Sequence, residues 1–266
     1  MSLFITSLNS GSNGNCYYIG NEQEAVLIDA GINCRETEKR LKRLGLSMHR
    51  VKAIFVSHEH SDHIRGLAVL ASKYRLPVFI TSLTRQRVSL PGGKFPILPF
   101  RGGETIRVGE LLVTAFAKLH DAVDPHSFMV THQGTKVGII TDVGVACEEV
   151  IEHFSQCHAA FLEANYDEEM LAKGRYPAFL KQRIRGGRGH LSNQQALNLF
   201  RTCKPAFMSH LLLSHLSAEN NCPKLTQSLF TAHAGDTEIV VASRYQETPV
   251  FRIGDSRKVS FQLAYS

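Results

Sequence analysis

Long apolar runs, paired cysteines, linkers and repeats are all missing from this chain, and each absence removes a class of protein. No stretch approaches the run of roughly 20 apolar residues that a membrane-spanning helix needs. The start, Met1 to Asn9, has neither a basic leader nor a long apolar segment. The default expectation is a soluble cytoplasmic protein with no membrane partner. Six cysteines (Cys16, Cys34, Cys147, Cys157, Cys203 and Cys222) are scattered without CxxC spacing. They read as ordinary thiols in a reducing compartment rather than as staples. No Pro/Ser linker, low-complexity tract or visible repeat divides the 266 residues, 43% of which are hydrophobic. A single domain over 1–266 with a substantial core is expected. The formal charge of +6 is moderate. It favours an anionic partner, such as a nucleic acid or a phosphorylated metabolite, without selecting one.

What is present is concentrated at His58-Glu59-His60-Ser61-Asp62-His63, three imidazoles and two carboxylates in six residues. This cluster follows the apolar run from Val51 to Ser57, at the mouth of a strand. Imidazole with carboxylate suits borderline divalent ions such as zinc or manganese. Glu59 is expected to point away from its histidine neighbours if the segment is extended.

Hydrophobic patterning places strands at 4–8, 16–19, 25–28, 78–81, 104–108, 111–115, 127–131, 136–141, 159–162, 206–209 and 238–242. Helices are expected at 35–44, stopped by Gly45, and at 64–74, 193–201 and 225–231, while 172–184 reads as a mixed basic segment. The opening strands form a hairpin around the polar loop Asn9 to Asn15. The order of elements points to two packed sheets with helices outside them.

Further candidate ligands recur where strands end: His120 after 111–115, Asp142 closing Val137 to Asp142, and His215 after the apolar run Leu211 to Leu213. Each alone fits a structural histidine or a turn aspartate, but recurrence at strand ends favours metal. Asp29, ending 25–28, is either a turn residue or an acceptor that holds a ligating imidazole by hydrogen bond.

The motif His58-x-His60-x-Asp62-His63 resembles the signature of the metallo-beta-lactamase superfamily. Ser10 to Asn15, Thr141-Asp142, Leu162-Glu-Ala-Asn-Tyr166, Gly189-His-Leu-Ser-Asn193 and His215 to Asn221 are similar to its YycJ/WalJ group of stand-alone phosphodiesterases. This likeness spans nearly the whole chain. It implies an α/β fold, an αββα four-layer sandwich of two mixed sheets flanked by helices, with two divalent ions, zinc or manganese, at one edge. The resemblance assigns His58, His60 and His120 to the first ion, Asp62, His63 and His215 to the second, and Asp142 to both. Asp62 and His190 are the residues it ties to the reaction, in which water activated between the two metals attacks a phosphodiester.

The segment Arg183 to His190 carries three arginines and three glycines, which suits an approach to phosphate oxygens. Arg185 and Arg188 are the expected phosphate contacts and His190 the contact beside the metals. Ser192 or Asn193 as a cap of the next helix is the plainer account of part of this motif. Arg35, Lys39, Arg40, Lys42, Arg43, Arg85, Arg87, Lys181 and Arg183 are further cations open to a nucleic-acid backbone, many of them simply solvated.

Asp62, in place of a cysteine, favours phosphodiester and other hydrolase branches over a broad-spectrum lactamase. No inserted domain or long basic arm resembles the RNA clamps of larger relatives. The resemblance therefore implies a DNA exonuclease working from 5′ ends, with a homodimer as a further partner to consider. The alternatives are a small cyclic phosphodiesterase, a lactone or thioester hydrolase, and a nucleic-acid-binding protein with a residual metal site.

Overall fold

The structure is a computed structural model that describes residues 2–254. Its strands, in chain order, are β1 (Leu3–Asn9), β2 (Cys16–Gly20), β3 (Ala25–Ile28), β4 (Val51–Phe55), β5 (Val78–Phe79), β6 (Ile97–Leu98), β7 (Thr105–Val108), β8 (Leu111–Ala117), β9 (His126–His132), β10 (Thr135–Ile140), β11 (Ala159–Glu163), β12 (His210–Ser214), β13 (Glu238–Val241) and β14 (Phe251–Ile253). Two seven-stranded sheets result, ordered β14-β1-β2-β3-β4-β5-β6 and β13-β12-β11-β10-β9-β8-β7.

Alternation along the strands builds three apolar layers. Val26, Ile28 and Phe55 of the first sheet meet Val113, Phe128, Val137, Ile139 and Phe161 of the second in the inter-sheet core. The intervening residues Ala25, Leu27 and Ile54 face outward onto a layer covered by helices α1 (Cys34–Arg43) and α3 (Leu67–Tyr74). Ile140, Ala160, Leu162, Leu211 and Leu213 do the same beneath α5 (Glu148–Phe154), α8 (Asn193–Cys203) and α9 (Pro223–Thr231). Strands buried on both faces read as continuous apolar runs, which is why β3 and the centres of β4 (Ala53 to Phe55) and β12 (Leu211 to Leu213) are hydrophobic without alternation. The αββα arrangement expected from the sequence is present.

Each sheet holds three antiparallel pairs followed by three parallel ones: β14/β1, β1/β2, β2/β3, then β3/β4, β4/β5, β5/β6. The other runs β7/β8, β8/β9, β9/β10, then β10/β11, β11/β12, β12/β13. A structural repeat therefore exists where the sequence shows none. β3 and β10 occupy matching places, and each leads into an aspartate with left-handed backbone, Asp29 (φ 62°) and Asp142 (φ 57°).

Several expected elements change. The helix over 64–74 is two, α2 (Ser61–Ile64) and α3, broken at Gly66, where a Cβ would lie 1.9 Å from the Ile32 carbonyl oxygen. The basic stretch 172–184 spans the end of α6 (Glu168–Lys173) and most of α7 (Ala178–Arg185). The strand expected at 206–209 lies instead at His210–Ser214, because the apolar run Leu211 to Leu213 is what the core takes up while Phe207 stays exposed. Helix α4 (Ser82–Arg87), α5, β6 and the edge strand β14 were not foreseen. No helix among the described residues is long and apolar enough to cross a membrane.

Candidate metal centre

Five strands deliver the site from their C-terminal ends. Asp29 follows β3, Ser57 and His58 follow β4, Asp142 follows β10, Glu163 ends β11 and His215 follows β12. Asp29, Asp142 and His215 (φ 57°) all adopt left-handed backbone. Such conformations cost roughly 1–3 kcal/mol each and persist only where surroundings fix them. Here the Asp29 amide donates to the Phe55 carbonyl, and the His215 amide donates to Ser10 Oγ at 2.8 Å.

The loop after β4 and helix α2 bring His58, His60, Asp62 and His63 to the same place. His58 Nε2 lies 3.1 Å and His120 Nε2 3.4 Å from His60 Nδ1, forming one triad of nitrogen donors. Asp62 Oδ2 lies 3.5 Å from both His63 Nε2 and His215 Nε2, forming a second triad. Asp142 sits between them, with Oδ2 3.2 Å from His63 Nε2 and Oδ1 3.5 Å from His215 Nε2 and 3.9 Å from His120 Nε2. All seven sequence-derived ligand candidates thus converge, in groups whose donor atoms lie within 4.8 Å of one another.

Proton bookkeeping on the remote ring nitrogens shows how the donors are aimed. Asp29 accepts from the Ser57 amide and hydroxyl, each at 2.8 Å, and from His63 Nδ1 at 2.7 Å. The Ser57 hydroxyl has spent its proton on Asp29, so it accepts from His58 Nδ1 at 2.9 Å. His120 Nδ1 donates to the Gly189 carbonyl at 3.0 Å, and His215 Nδ1 to Glu163 Oε1 at 3.1 Å. With Nδ1 as the donor in these four rings, Nε2 faces the cluster, the arrangement that orients metal-binding imidazoles, whereas His60 turns Nδ1 inward.

The donor set fits divalent ions. Asp142 Oδ2 and His215 Nε2 are buried without a hydrogen-bond partner among the described residues. Buried polar atoms are as a rule paired, and two unpaired ligand-type atoms set among the other His and Asp donors are what a bound cation would satisfy. Electrostatics agree. Burial alone would lower His63, but Asp142, Asp29 and Asp62 outweigh it and raise its pKa to about 10. His215 is raised well above its usual value in the same way, against burial, by Asp142, Asp62 and Glu163. Burial drives His58 far down and His120 down to about 4. Burial opposes ionisation of Asp142, yet His215 and His63 hold it well below the usual carboxylate range. One half of the cluster therefore binds protons where cations are wanted, while the other stays neutral.

Two positioning groups went unrecognised in the sequence. Glu163, fully buried, accepts from His190 Nδ1 (2.8 Å) and His215 Nδ1 through Oε1, and from the Val143 (2.8 Å) and Leu191 (3.1 Å) amides through Oε2. Burial opposes its ionisation too, but His190 and His215 carry its pKa down to about 2. Asn15 Nδ2 donates to Asp62 Oδ2 at 3.1 Å. Both stand in motifs visible in the sequence, but their partners lie 20 to 52 residues away in the chain. Glu59 accepts from the Val123 amide, outside the donor groups.

The cluster opens into a cavity of about 250 Å³ whose lining includes Ser12, Asp121, Leu180, Arg183, His190 and Ser217. Arg183, paired with Asp121, is the arginine of its segment that lines this cavity; the expected Arg185 and Arg188 are exposed and do not. Leu180, Arg183 and Ile184 share one face of α7, and Arg185 lies off it. Ser192 caps α8 through a capping box. Of the other cations, Arg40 is buried and donates to Leu8 O, Asn9 Oδ1 and Tyr245 O, while Arg43 pairs with Glu247. Arg40 is thereby committed to the fold rather than to a nucleic-acid backbone.

Residues 24–216 match the Beta-lactamase superfamily domain. The chain is 35% identical over 230 residues to exodeoxyribonuclease YycJ of Bacillus anthracis, covering 85% of this chain and 87% of that protein. It is 32% identical over 223 residues to exodeoxyribonuclease WalJ of Streptococcus pneumoniae, covering 82% and 83%. The fold matches that of the metallo-beta-lactamase fold protein YhfI from Bacillus subtilis with a TM-score of 0.74 at 15% identity, covering 95% of this chain and 100% of that one. The chain belongs to the metallo-beta-lactamase superfamily, as a YycJ/WalJ-like enzyme among its metal-dependent hydrolases.

Proposed function

We propose that this enzyme is a DNA exonuclease that hydrolyses phosphodiesters from 5′ ends, the whole chain acting as one catalytic unit. In this reading His58, His60 and His120 hold one divalent ion, zinc or manganese, Asp62, His63 and His215 hold a second, and Asp142 serves both. Bound there, the ions supply water activation and neutralisation of phosphoryl charge. The observation that carries the reading is that both donor triads open, through His60, His120, Asp62 and His215, into one cavity with a carboxylate-anchored imidazole, His190, and a guanidinium, Arg183. That combination suits an anionic tetrahedral group better than a lactone or thioester.

The chain's own groups then divide the work. Glu163 fixes His190 through Nδ1, leaving Nε2 to meet a phosphoryl oxygen or to hand a proton to the departing oxygen. Arg183 exchanges Asp121 for a phosphate oxygen. The buried Lys118 donates to the Thr141 carbonyl at 2.6 Å and so braces the turn that presents Asp142. The names of the YycJ and WalJ relatives support DNA as the substrate.

The test compares linear 5′-phosphorylated DNA, RNA and cyclic phosphates with zinc, manganese or magnesium, alongside His58→Ala. Progressive loss from DNA 5′ ends, abolished in the variant, is expected. Exclusive turnover of cyclic phosphates would replace the nuclease by a small-molecule enzyme, and lactone hydrolysis with all phosphodiesters untouched would sink both.

A further inference from the structure

A second cavity, of about 350 Å³, adjoins the first and shares Leu216 and Ser217 with it; Ser10, Gln227, Arg244 and Tyr245 are among its other lining residues. Its rim is held rigidly. Ser10 N donates to Ser243 O (3.1 Å), Asn13 Nδ2 to Arg244 O (2.7 Å) and Arg40 Nη2 to Tyr245 O (3.0 Å), so three consecutive carbonyls after β13 are fixed. On this fixed backbone Tyr245 is 78% exposed, far more than an aromatic ring gains by packing. The Arg244 guanidinium donates through Nη2 to Ser12 Oγ at 2.9 Å, and Ser12 itself lines the first cavity. Its Nη1 is shielded from water without a partner, and no carboxylate pairs with it among the described residues. Arg40, Arg43 and Arg183, by contrast, are all paired. A guanidinium without a carboxylate partner beside the proposed phosphodiester site is chemically suited to an anion that arrives with the substrate.

We infer that this cavity is a subsite for a second nucleotide of a polynucleotide chain, with its phosphate on Arg244 and its base against Tyr245. The inference rests on the phosphodiesterase reading and narrows it: the enzyme takes strands with at least two phosphates rather than a lone cyclic one. The strand crosses Leu216 and Ser217 between the cavities. To meet the phosphate the Arg244 side chain turns outward, giving up the single side-chain bond to exposed Ser12. The ring supplies a stacking face that tolerates any base.

The test uses the metal-loaded full-length protein, its Arg244→Ala, Arg244→Lys and Tyr245→Ala variants, and a phosphorothioate oligothymidylate of about six nucleotides, which resists cleavage. Binding is followed by fluorescence anisotropy through a salt series. Arg244→Ala is expected to weaken binding about 10-fold and to flatten the slope of log K against log salt by about 0.7, the loss of one single-strand phosphate contact. Arg244→Lys keeps the slope. Tyr245→Ala weakens binding about 10-fold without altering it. All three should turn over bis(p-nitrophenyl) phosphate, which has one phosphodiester, like the unaltered protein. Unchanged oligonucleotide binding in Arg244→Ala and Tyr245→Ala overturns the subsite, as does an equal loss on the small ester, which would mark a structural role. Neither result touches the nuclease reading if ordinary DNA is still degraded. Conversely, Arg244-dependent binding without degradation of ordinary DNA by the unaltered protein keeps the subsite and removes the nuclease.

Discussion

Replacing Glu163 by glutamine exchanges one oxygen for an amide nitrogen, and the partners of that side chain dictate which way the new amide must face. The Val143 and Leu191 amides can only donate, so the glutamine carbonyl must turn towards them and its NH2 group towards His190 Nδ1 and His215 Nδ1. Two donors then face each other unless both rings move their proton to Nε2. His215 with a proton on Nε2 has no lone pair to offer the second triad. Loss of such an orienting carboxylate typically costs 10–100-fold in metal affinity or activity, or about 1.4–2.7 kcal/mol. Folding of the metal-free protein should suffer as well, because a carboxylate that the fold lowers to about 2 is stabilised there, and its loss leaves the buried His215 imidazole without its charged acceptor. Competition against a chromophoric chelator would read the metal affinity, and thermal unfolding of the metal-free protein the fold. Weakening of one metal equivalent, with turnover falling in step and the metal-free protein melting at a lower temperature, is expected. Retention of both metal affinities and of turnover in Glu163→Gln would refute the tautomer argument.

Asp29→Asn puts the same constraint on the other side of the cluster, where Asp29 accepts from Ser57 and His63; a 10–100-fold loss of metal affinity is expected, and equal affinity by the same competition would remove Asp29 from the ligand-orienting set. Gly31→Ala places a Cβ 1.6 Å from the Asp62 carbonyl oxygen, so backbone must move. The variant should lose about 1–3 kcal/mol, lowering the melting temperature by roughly 2–12 °C, and should also bind metal less well, whereas a melting curve superimposable on the original would contradict the close approach. In the metal-free protein His63, raised to about 10, is protonated at neutral pH, and an ion must displace that proton. Its contribution to metal-free stability is complete below the unfolded histidine value of about 6.5 and fades as pH climbs through about 10. Calorimetric metal titration near neutral pH should therefore depend on the ionisation enthalpy of the buffer; heats identical in all buffers would contradict the protonated state.

Much of the centre was legible because its chemistry is local. His58, His60, Asp62 and His63 are near neighbours on one loop and the short α2, so their meeting needs no long-range information. Asp142 and His215 showed themselves as polar residues ending apolar runs, a pattern that strands buried on both faces produce. That Arg183 rather than Arg185 lines the cavity is not readable from the sequence, because α7 buries none of its residues completely and the periodic signal that separates its faces is weak. The strand misplaced at 206–209 has a similar origin: apolar residues within one short span do not say which of them the core will accept.

By itself the sequence determined which metal-ligand types of side chain cluster at strand ends and the two-sheet class, since these come from residue chemistry and from periodicities of a few positions. The tertiary structure decided the pairing of Glu163 with His190 and His215, of Asp29 with His63 and Ser57, and of Arg183 with Asp121. It also decided the adjoining cavity at Arg244. Those partners are tens of residues apart in the chain, and only the register of parallel strands, all ending at one edge of the sandwich, brings them within hydrogen-bonding distance.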